Sequence, residues 1–150
     1  MYKYNVTDET IINASKEAVF NGIIEVYDKE KNWWMPFLSS KLLKGKSSEE
    51  VGSVCRVCIS SIAPIKFITQ TTEVKKNEFL KVIYTKGAFV GEGLWEFKTV
   101  ENKTLVRFTW NTNPGNILTK FASIFYPMAK AHSAVMHKGF DNLKKKLELE

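Results

Sequence analysis

Two cysteines, Cys55 and Cys58, stand in a C-x-x-C spacing that could support thiol chemistry. Such a pair works as a redox dithiol where it opens a helix, and as half of a zinc site where a second pair completes it. The stretch GSVCRVCIS alternates like a strand, and the chain has no second pair. Residues three apart in a strand point to opposite faces, so the sulfurs are not expected to meet. We therefore expect no metal and no cofactor here, and we place Cys55, Val57 and Ile59 on the inward face.

Other residues with chemical potential are few. His132 falls on the apolar side of a predicted C-terminal helix, where it could serve as an acid, a base or a headgroup donor, or simply as a hydrogen-bonded core histidine. His137 follows five positions later, so we expect it on a different face and predict no metal pair. KGKSSE lacks the first glycine of a phosphate-binding loop, and GAFVGEG precedes a strand rather than a helix. The catalytic residues stay unknown, with His132 as the one candidate.

Length and charge exclude several function classes. A chain of 150 residues predicts one domain, residues 1–150, and 44% hydrophobic with 25% charged residues is typical of a globular protein. The net charge is +6, yet only Arg56 and Arg107 of the 22 basic residues are arginine. Because base reading relies on bidentate arginine, we predict no specific nucleic-acid partner. A transient attraction to a membrane surface stays open.

The N-terminal stretch MYKYNVTDETII lacks the basic and apolar regions of a signal peptide, and no stretch approaches 18 apolar residues. We therefore expect a cytoplasmic protein with no membrane insertion and with reduced cysteines. The sequence makes no prediction about the oligomeric state.

The elements that must position these residues follow an α+β order. A first strand over YKYNVTDETI leads into a helix predicted over residues 15–28, with Ser15 as its N-cap. Pro36 in KNWWMPF limits the next segment to a short helical turn or loop. From about residue 38 to 111, six segments alternate with period two between short turn signals. This pattern predicts an antiparallel meander.

After Pro114-Gly115 the rest of the chain is predicted as a long amphipathic helix. We expect Pro127 to kink this helix or to split off its first turns. Its apolar positions step by three or four along one face. They are Leu118, Phe121, Phe125, Met128, His132, Met136, Phe140, Leu143 and Leu147.

Four phrases in this order resemble the START/Bet v-like SRPBCC superfamily. They are INASKEAVFNGIIEVYD, NWWMPF, VGSVCRV and GFDNLKKKLE, and together the resemblance covers about 140 residues. It implies the helix-grip fold: a curved seven-stranded antiparallel sheet wrapped around a long C-terminal helix, with two short helices after strand 1. It also implies a cavity between sheet and helix that takes a small hydrophobic ligand.

Because of the resemblance, we take the aromatic and apolar residues as candidates for lining the cavity, although such rings can equally fill a core. Alternation in strand 65–74 does not decide whether Gln70 and Thr72 or their neighbours face inward, and we take Gln70 and Thr72 as polar anchors. The residues SSIAPIKF, 60–67, resemble a gating loop, and GAFVGEG is either a mobile hairpin at the mouth or a turn with a bulge. The remaining candidates are Trp33, Trp34, Phe37, Cys55, Val57, Ile59, Tyr84, Phe89, Trp95, Phe97, Phe108, Trp110, Phe121, Phe125, Met128, His132 and Met136.

Three functions fit this pattern. The first is binding or transport of a small hydrophobic ligand such as a lipid, an isoprenoid or a polyketide-like compound. The second is a cyclase or dehydratase in which His132, with Gln70 or Tyr84, moves protons. The third is a co-chaperone-like interaction module that uses the basic surface. Few inward titratable residues are predicted, which favours the first function over the second.

Overall fold

The computed structural model describes residues 1–60 and 65–148, so the predicted turn at Ala63-Pro64 and residues 61–64 of the predicted gating loop lie outside the described residues. The described part contains seven strands and three helices in an α+β order. In chain order they are β1 (Tyr4–Ile12), α1 (Lys16–Asp28), β2 (Leu38–Lys44), β3 (Val54–Ile59), β4 (Ile65–Lys75), β5 (Phe79–Gly87), β6 (Phe89–Val100), β7 (Lys103–Pro114), α2 (Ile117–Phe125) and α3 (Met128–Glu148).

The strands form one antiparallel sheet in the order β1-β7-β6-β5-β4-β3-β2, which confirms the predicted meander. The turns form where the sequence signals them: Glu101 and Asn102 both have positive φ and make the tight β6–β7 connection, and Asn77 does the same between β4 and β5. Register shifts in the β2–β3 and β4–β5 pairs add bulges, which bend strands. The sheet thus curves around the helical layer.

The helix α1 begins at the predicted cap, because the Ser15 hydroxyl accepts a hydrogen bond from the Ala18 backbone N–H. Its apolar face packs on the sheet, with Phe20 edge-on to Phe97 of β6. Residues 33–37 form hydrogen-bonded turns that include a cis bond before Pro36, so the second short helix predicted after strand 1 is replaced by a turn.

Pro127 separates α2 from α3, as predicted, because proline lacks the N–H that a continuous helix needs. The helix α3 lies across the inward face of the sheet and buries Met136, Phe140 and Leu143. Trp34 stabilises the position of α3, because its Nε1–H donates to the Val135 carbonyl at 3.2 Å and its ring packs against α3 at Gly139.

Candidate functional site

A cavity of about 400 Å³ lies between the inward face of the sheet and α3. This volume is in the range of pockets that hold small organic ligands. Its walls are mostly apolar and aromatic: Trp95 and Phe108 come from neighbouring strands with their ring centroids 4.4 Å apart, and Phe89 stands edge-on to Trp110 at 5.0 Å. The cavity lies between the sheet and the C-terminal helix, the location that the resemblance implies.

Eleven of the predicted lining residues contact this cavity. The sheet residues among them belong to the inward sets of β3, β5, β6 and β7, whose members are mostly more buried than their neighbours in the strand. The eleven residues are Trp34, Val57, Ile59, Tyr84, Phe89, Trp95, Phe108, Trp110, Met128, His132 and Met136.

Four further predicted residues support the walls without lining the cavity. Trp33 stacks on Trp34 and donates its Nε1–H to the Gly22 carbonyl, and Phe37 lies half-buried under the Lys138 ammonium. Phe97 packs on α1 instead. Cys55 is buried with its thiol 3.1 Å from the Tyr27 carbonyl. Burial raises the pKa of this thiol to about 11, so Cys55 is an inert packing residue at neutral pH.

The prediction for strand β4 was wrong. Its inward set begins with Ile65 and Phe67, which line the cavity, and continues with the buried Thr69 and Thr71, whereas Gln70 and Thr72 lie on the outer face. The physical reason is a polar inner contact: the Thr71 hydroxyl donates to the Ser48 carbonyl at 2.8 Å. Threonine therefore occupies inward positions of β4 at which sequence analysis expects an apolar residue.

The prediction for Phe121 and Phe125 was also wrong. Both lie on α2, where they are 64% and 77% exposed, and neither lines the cavity. The periodicity was helical as predicted, but the chain bends at Pro127 and turns the apolar side of α2 to the solvent.

Away from its mouth, the polar side chains that line the cavity are Tyr27, Tyr84 and His132. Tyr27 was missed as a lining residue; its hydroxyl oxygen accepts a hydrogen bond from Trp95 Nε1–H at 2.9 Å, which leaves its own O–H available to donate. Burial raises the pKa of Tyr27 and of Tyr84 well above the ordinary range. Both hydroxyls are therefore protonated donors at neutral pH.

His132 is held between an aromatic ring and a buried carboxylate. Its ring stacks on Trp110 with the centroids 4.0 Å apart, and its Nδ1 lies 3.6 Å from Oδ2 of Asp8 on β1. His132 Nδ1 is buried and has no hydrogen-bond partner within the described residues, since 3.6 Å exceeds hydrogen-bond length. Burial lowers the pKa of His132 and outweighs the opposite effect of Asp8, so the imidazole is neutral at pH 7.

Asp8 is a candidate functional residue that the sequence analysis missed. Burial alone would raise its pKa, but the contacts with His132 and with the Ser133 hydroxyl, 3.1 Å away, outweigh burial and lower it. His137 also approaches this carboxylate, with Nε2 3.6 Å from Oδ1, so both histidines lie near Asp8 despite their spacing of five residues. The signal was available, because strict alternation in YNVTDETII places Asp8 with Tyr4 and Ile12 on the inward face.

The mouth of the cavity is marked by its exposed lining residues. These are Ser60 after β3, Tyr126 between α2 and α3, and Ala134 and Lys138 on α3. The predicted gating segment therefore borders the mouth at Ser60 and at Ile65. The GAFVGEG segment forms a tight connection with Gly87 at a φ of 111°, and its Phe89 turns inward to line the cavity.

Cys55 and Cys58 are both free and belong to opposite faces of β3, as predicted from strand geometry. Within residues 1–60 and 65–148, no group of three or more His, Cys, Asp or Glu side chains is placed to hold a metal ion. No helix in the described part of the chain is long and apolar enough to cross a bilayer.

Comparisons with known proteins identify the fold. No protein-family model and no curated protein matches the chain. Among solved structures, it is similar to TTHA0849 from Thermus thermophilus (TM-score 0.75, 15% identity, 95% of both chains) and to Ara h 8.0201 (0.71, 8% identity, 98% and 99%). It is also similar to the Aha1 dimer from Colwellia psychrerythraea (0.64, 19% identity, 97% and 96%). The chain therefore has the helix-grip fold of the SRPBCC and Bet v 1-like proteins.

Proposed function

We propose that the protein binds a small hydrophobic molecule with one polar end in the cavity between the sheet and α3. The observation that carries this proposal is the cavity itself, a mostly apolar chamber of about 400 Å³ lined by residues of the buried core. A packed core keeps few voids larger than a water molecule, so a chamber of this size is a feature of function rather than of folding. A lipid, an isoprenoid or a polyketide-like compound has the matching chemistry.

The polar end of the ligand is proposed to lie between Tyr27 and His132. The Tyr27 O–H donates to a ligand oxygen, since its own oxygen is already occupied by Trp95. His132 directs Nδ1 toward the Asp8 carboxylate, which favours the tautomer with hydrogen on Nδ1 and leaves Nε2 as an acceptor. A hydroxyl or enol suits this pair, because such a group both accepts and donates.

Both cysteines are free, in keeping with a reducing compartment such as the cytoplasm.

A titration with the neutral fluorescent probe 1-aminoanthracene tests this function. Ala131 lines the cavity from α3, so we expect Ala131→Trp to fill part of the chamber and abolish saturable binding. The matched control is Thr72→Trp on the outer face of β4, which is expected to bind like the wild type. Equal binding by both variants, or no binding by the wild type, would contradict a ligand cavity.

A second candidate function is proton-transfer catalysis in the same cavity, and the Asp8–His132 pair favours it. A neutral imidazole backed by an ionised carboxylate is the arrangement of a general base, because the carboxylate stabilises the imidazolium that forms. We would incubate the protein with 2-tetralone, an apolar ketone, in deuterium oxide and follow loss of its α-protons by NMR. Catalysed exchange that disappears in His132→Gln supports the enzyme, and exchange equal to that of His132→Gln leaves only binding.

The third candidate, an interaction module, draws on the similarity to the Aha1 dimer, which shows the fold alone at 19% identity. An open cavity argues for binding a small molecule as the first function. The protein does, however, expose an apolar surface on α2.

A further inference from the structure

The helix α2 presents its apolar side to the solvent. At 100° per residue, its large apolar residues occupy one arc of about 120°, as in an amphipathic helix. Each is at least 64% exposed, and none of the residues of α2 is buried. This surface, called the α2 ridge below, consists of Ile117, Leu118, Phe121, Ile124 and Phe125.

The opposite side of α2 attaches the helix to the body of the protein through polar contacts. Thr119 and Ser123, one turn apart, are its half-buried residues. The Lys3 ammonium donates to the Ser123 hydroxyl at 2.8 Å, and the Asn116 side chain caps the helix by accepting from Thr119 N–H. The orientation is therefore reversed from that of a core helix, whose apolar side would pack inward.

The charge around the α2 ridge is of one sign. No Asp or Glu occurs between Glu101 and Asp141, whereas the part of this stretch that follows β7 contains Lys120 within α2 itself and Lys130 and Lys138 on α3. The strand ends at the same edge of the sheet as α2 continue the pattern. Among the three terminal residues of each strand at this edge there is no acidic residue, and two basic residues, Lys66 and Lys86, occur there. An apolar ridge set in a positive surface complements an anionic lipid bilayer, where basic groups near the headgroups strengthen binding.

The α2 ridge is continuous with the mouth of the cavity. Tyr126, the residue after α2, is 56% exposed and also lines the cavity, and Met128 follows it on the inner side. Any partner surface that contacts the α2 ridge would therefore lie next to the mouth of the cavity.

We propose that the α2 ridge docks the protein on anionic lipid bilayers, with the apolar side chains entering the interfacial region and the lysines meeting lipid phosphates. This docking goes beyond ligand binding in the cavity and does not require a ligand. A second copy of the chain is a poorer occupant, because apposing two α2 ridges would bring the two positive surfaces together. Docking places the cavity mouth at the bilayer, where an apolar ligand can pass without crossing water.

Co-sedimentation of the full chain with vesicles tests the proposal. We expect binding to vesicles of phosphatidylcholine mixed equally with phosphatidylglycerol, weaker binding to phosphatidylcholine alone, and weakening by salt. Phe121→Ser with Phe125→Ser is expected to reduce the affinity for the anionic vesicles at least about tenfold. Neither side chain packs in the core, so the fold and 1-aminoanthracene binding are expected to persist.

The matched control is Leu43→Ser with Val51→Ser, which removes two exposed apolar residues at the other end of the sheet and should leave vesicle binding unchanged. Docking through α2 is overturned if the wild type does not bind anionic vesicles, or if both double variants bind like it. It is also overturned if the wild type forms a dimer that the phenylalanine variant does not form, because the α2 ridge is then a self-association surface. Failure of 1-aminoanthracene binding with intact vesicle binding would reject the cavity function alone.

Discussion

Gly139→Ala is expected to destabilise the protein, although alanine is the better helix former. Gly139 lies inside α3 against the indole ring of Trp34, and an added Cβ would overlap three atoms of that ring. Trp34 is 2% exposed and has little room to withdraw, since it stacks on Trp33 and stands edge-on to Trp95. The open direction is the cavity, so the ring is expected to move into the ligand space.

The magnitude follows from two opposing effects. Replacing glycine by alanine within a helix contributes about 1 kcal/mol of stability. Overpacking a filled core costs roughly 1–3 kcal/mol, and losing the hydrogen bond from Trp34 to the Val135 carbonyl adds about 1 kcal/mol. We therefore expect the free energy of unfolding to fall by about 1–3 kcal/mol, which lowers the urea midpoint by about 1 M.

Urea unfolding followed by tryptophan fluorescence measures this change, and 1-aminoanthracene titration measures the lost ligand space. Gly22→Ala is the matched control, because Gly22 is also helical and its added Cβ would meet only Cδ1 of Leu143, at 2.9 Å. The end of a flexible side chain can move, so the control should lie within about 1 kcal/mol of the wild type. If Gly139→Ala proved as stable as Gly22→Ala and bound the probe like the wild type, the packing of Trp34 on α3 would be refuted.

Two further predictions follow from titration and thiol burial. The folded-state pKa of His132 lies below its unfolded value of 6.5, so the unfolded chain binds more protons and stability falls as pH drops below about 6.5. The pKa of Asp8 is also lowered, so stability falls further as the pH drops below the ordinary value of 3.8. His132→Phe should flatten the pH dependence of the melting temperature between neutral pH and about pH 5. An unchanged profile would exclude His132 as the titrating group. Under native conditions iodoacetamide should label Cys58 well before Cys55, whose thiol is buried; equal rates would contradict the assigned strand faces.

The sheet was predictable from the sequence because its signals are local. Period-two alternation in β5, β6 and β7 separates buried, mostly apolar residues from more accessible ones, and turn residues stand between the strands. The same rule would have found Asp8, which alternates with the inward residues of β1. A charged residue on an inward position therefore marks a candidate site residue.

The errors arose where a distant contact decides the orientation. In β4, the inward Thr69 and Thr71 are polar because Thr71 pairs with Ser48 and Ser53 from a loop far along the chain. The pattern of hydrophobicity within the strand does not indicate that these two serines will contact Thr71.

The orientation of α2 is a similar case. Phe121 and Phe125 have the spacing of a core helix, but Pro127 ends the helix and polar anchors turn its apolar side outward. Helical period shows which residues share a face, and the tertiary contacts determine where that face points.

Native mass spectrometry of the protein after incubation with a total lipid extract tests the ligand cavity most directly. We predict that the wild type carries one apolar molecule per chain, that the molecule is released on denaturation, and that Ala131→Trp stays free of it because its cavity is filled. Thr72→Trp should carry the same molecule as the wild type. A wild type that remains at its apo mass, or an Ala131→Trp variant that carries the same molecule, would contradict ligand binding between the sheet and α3.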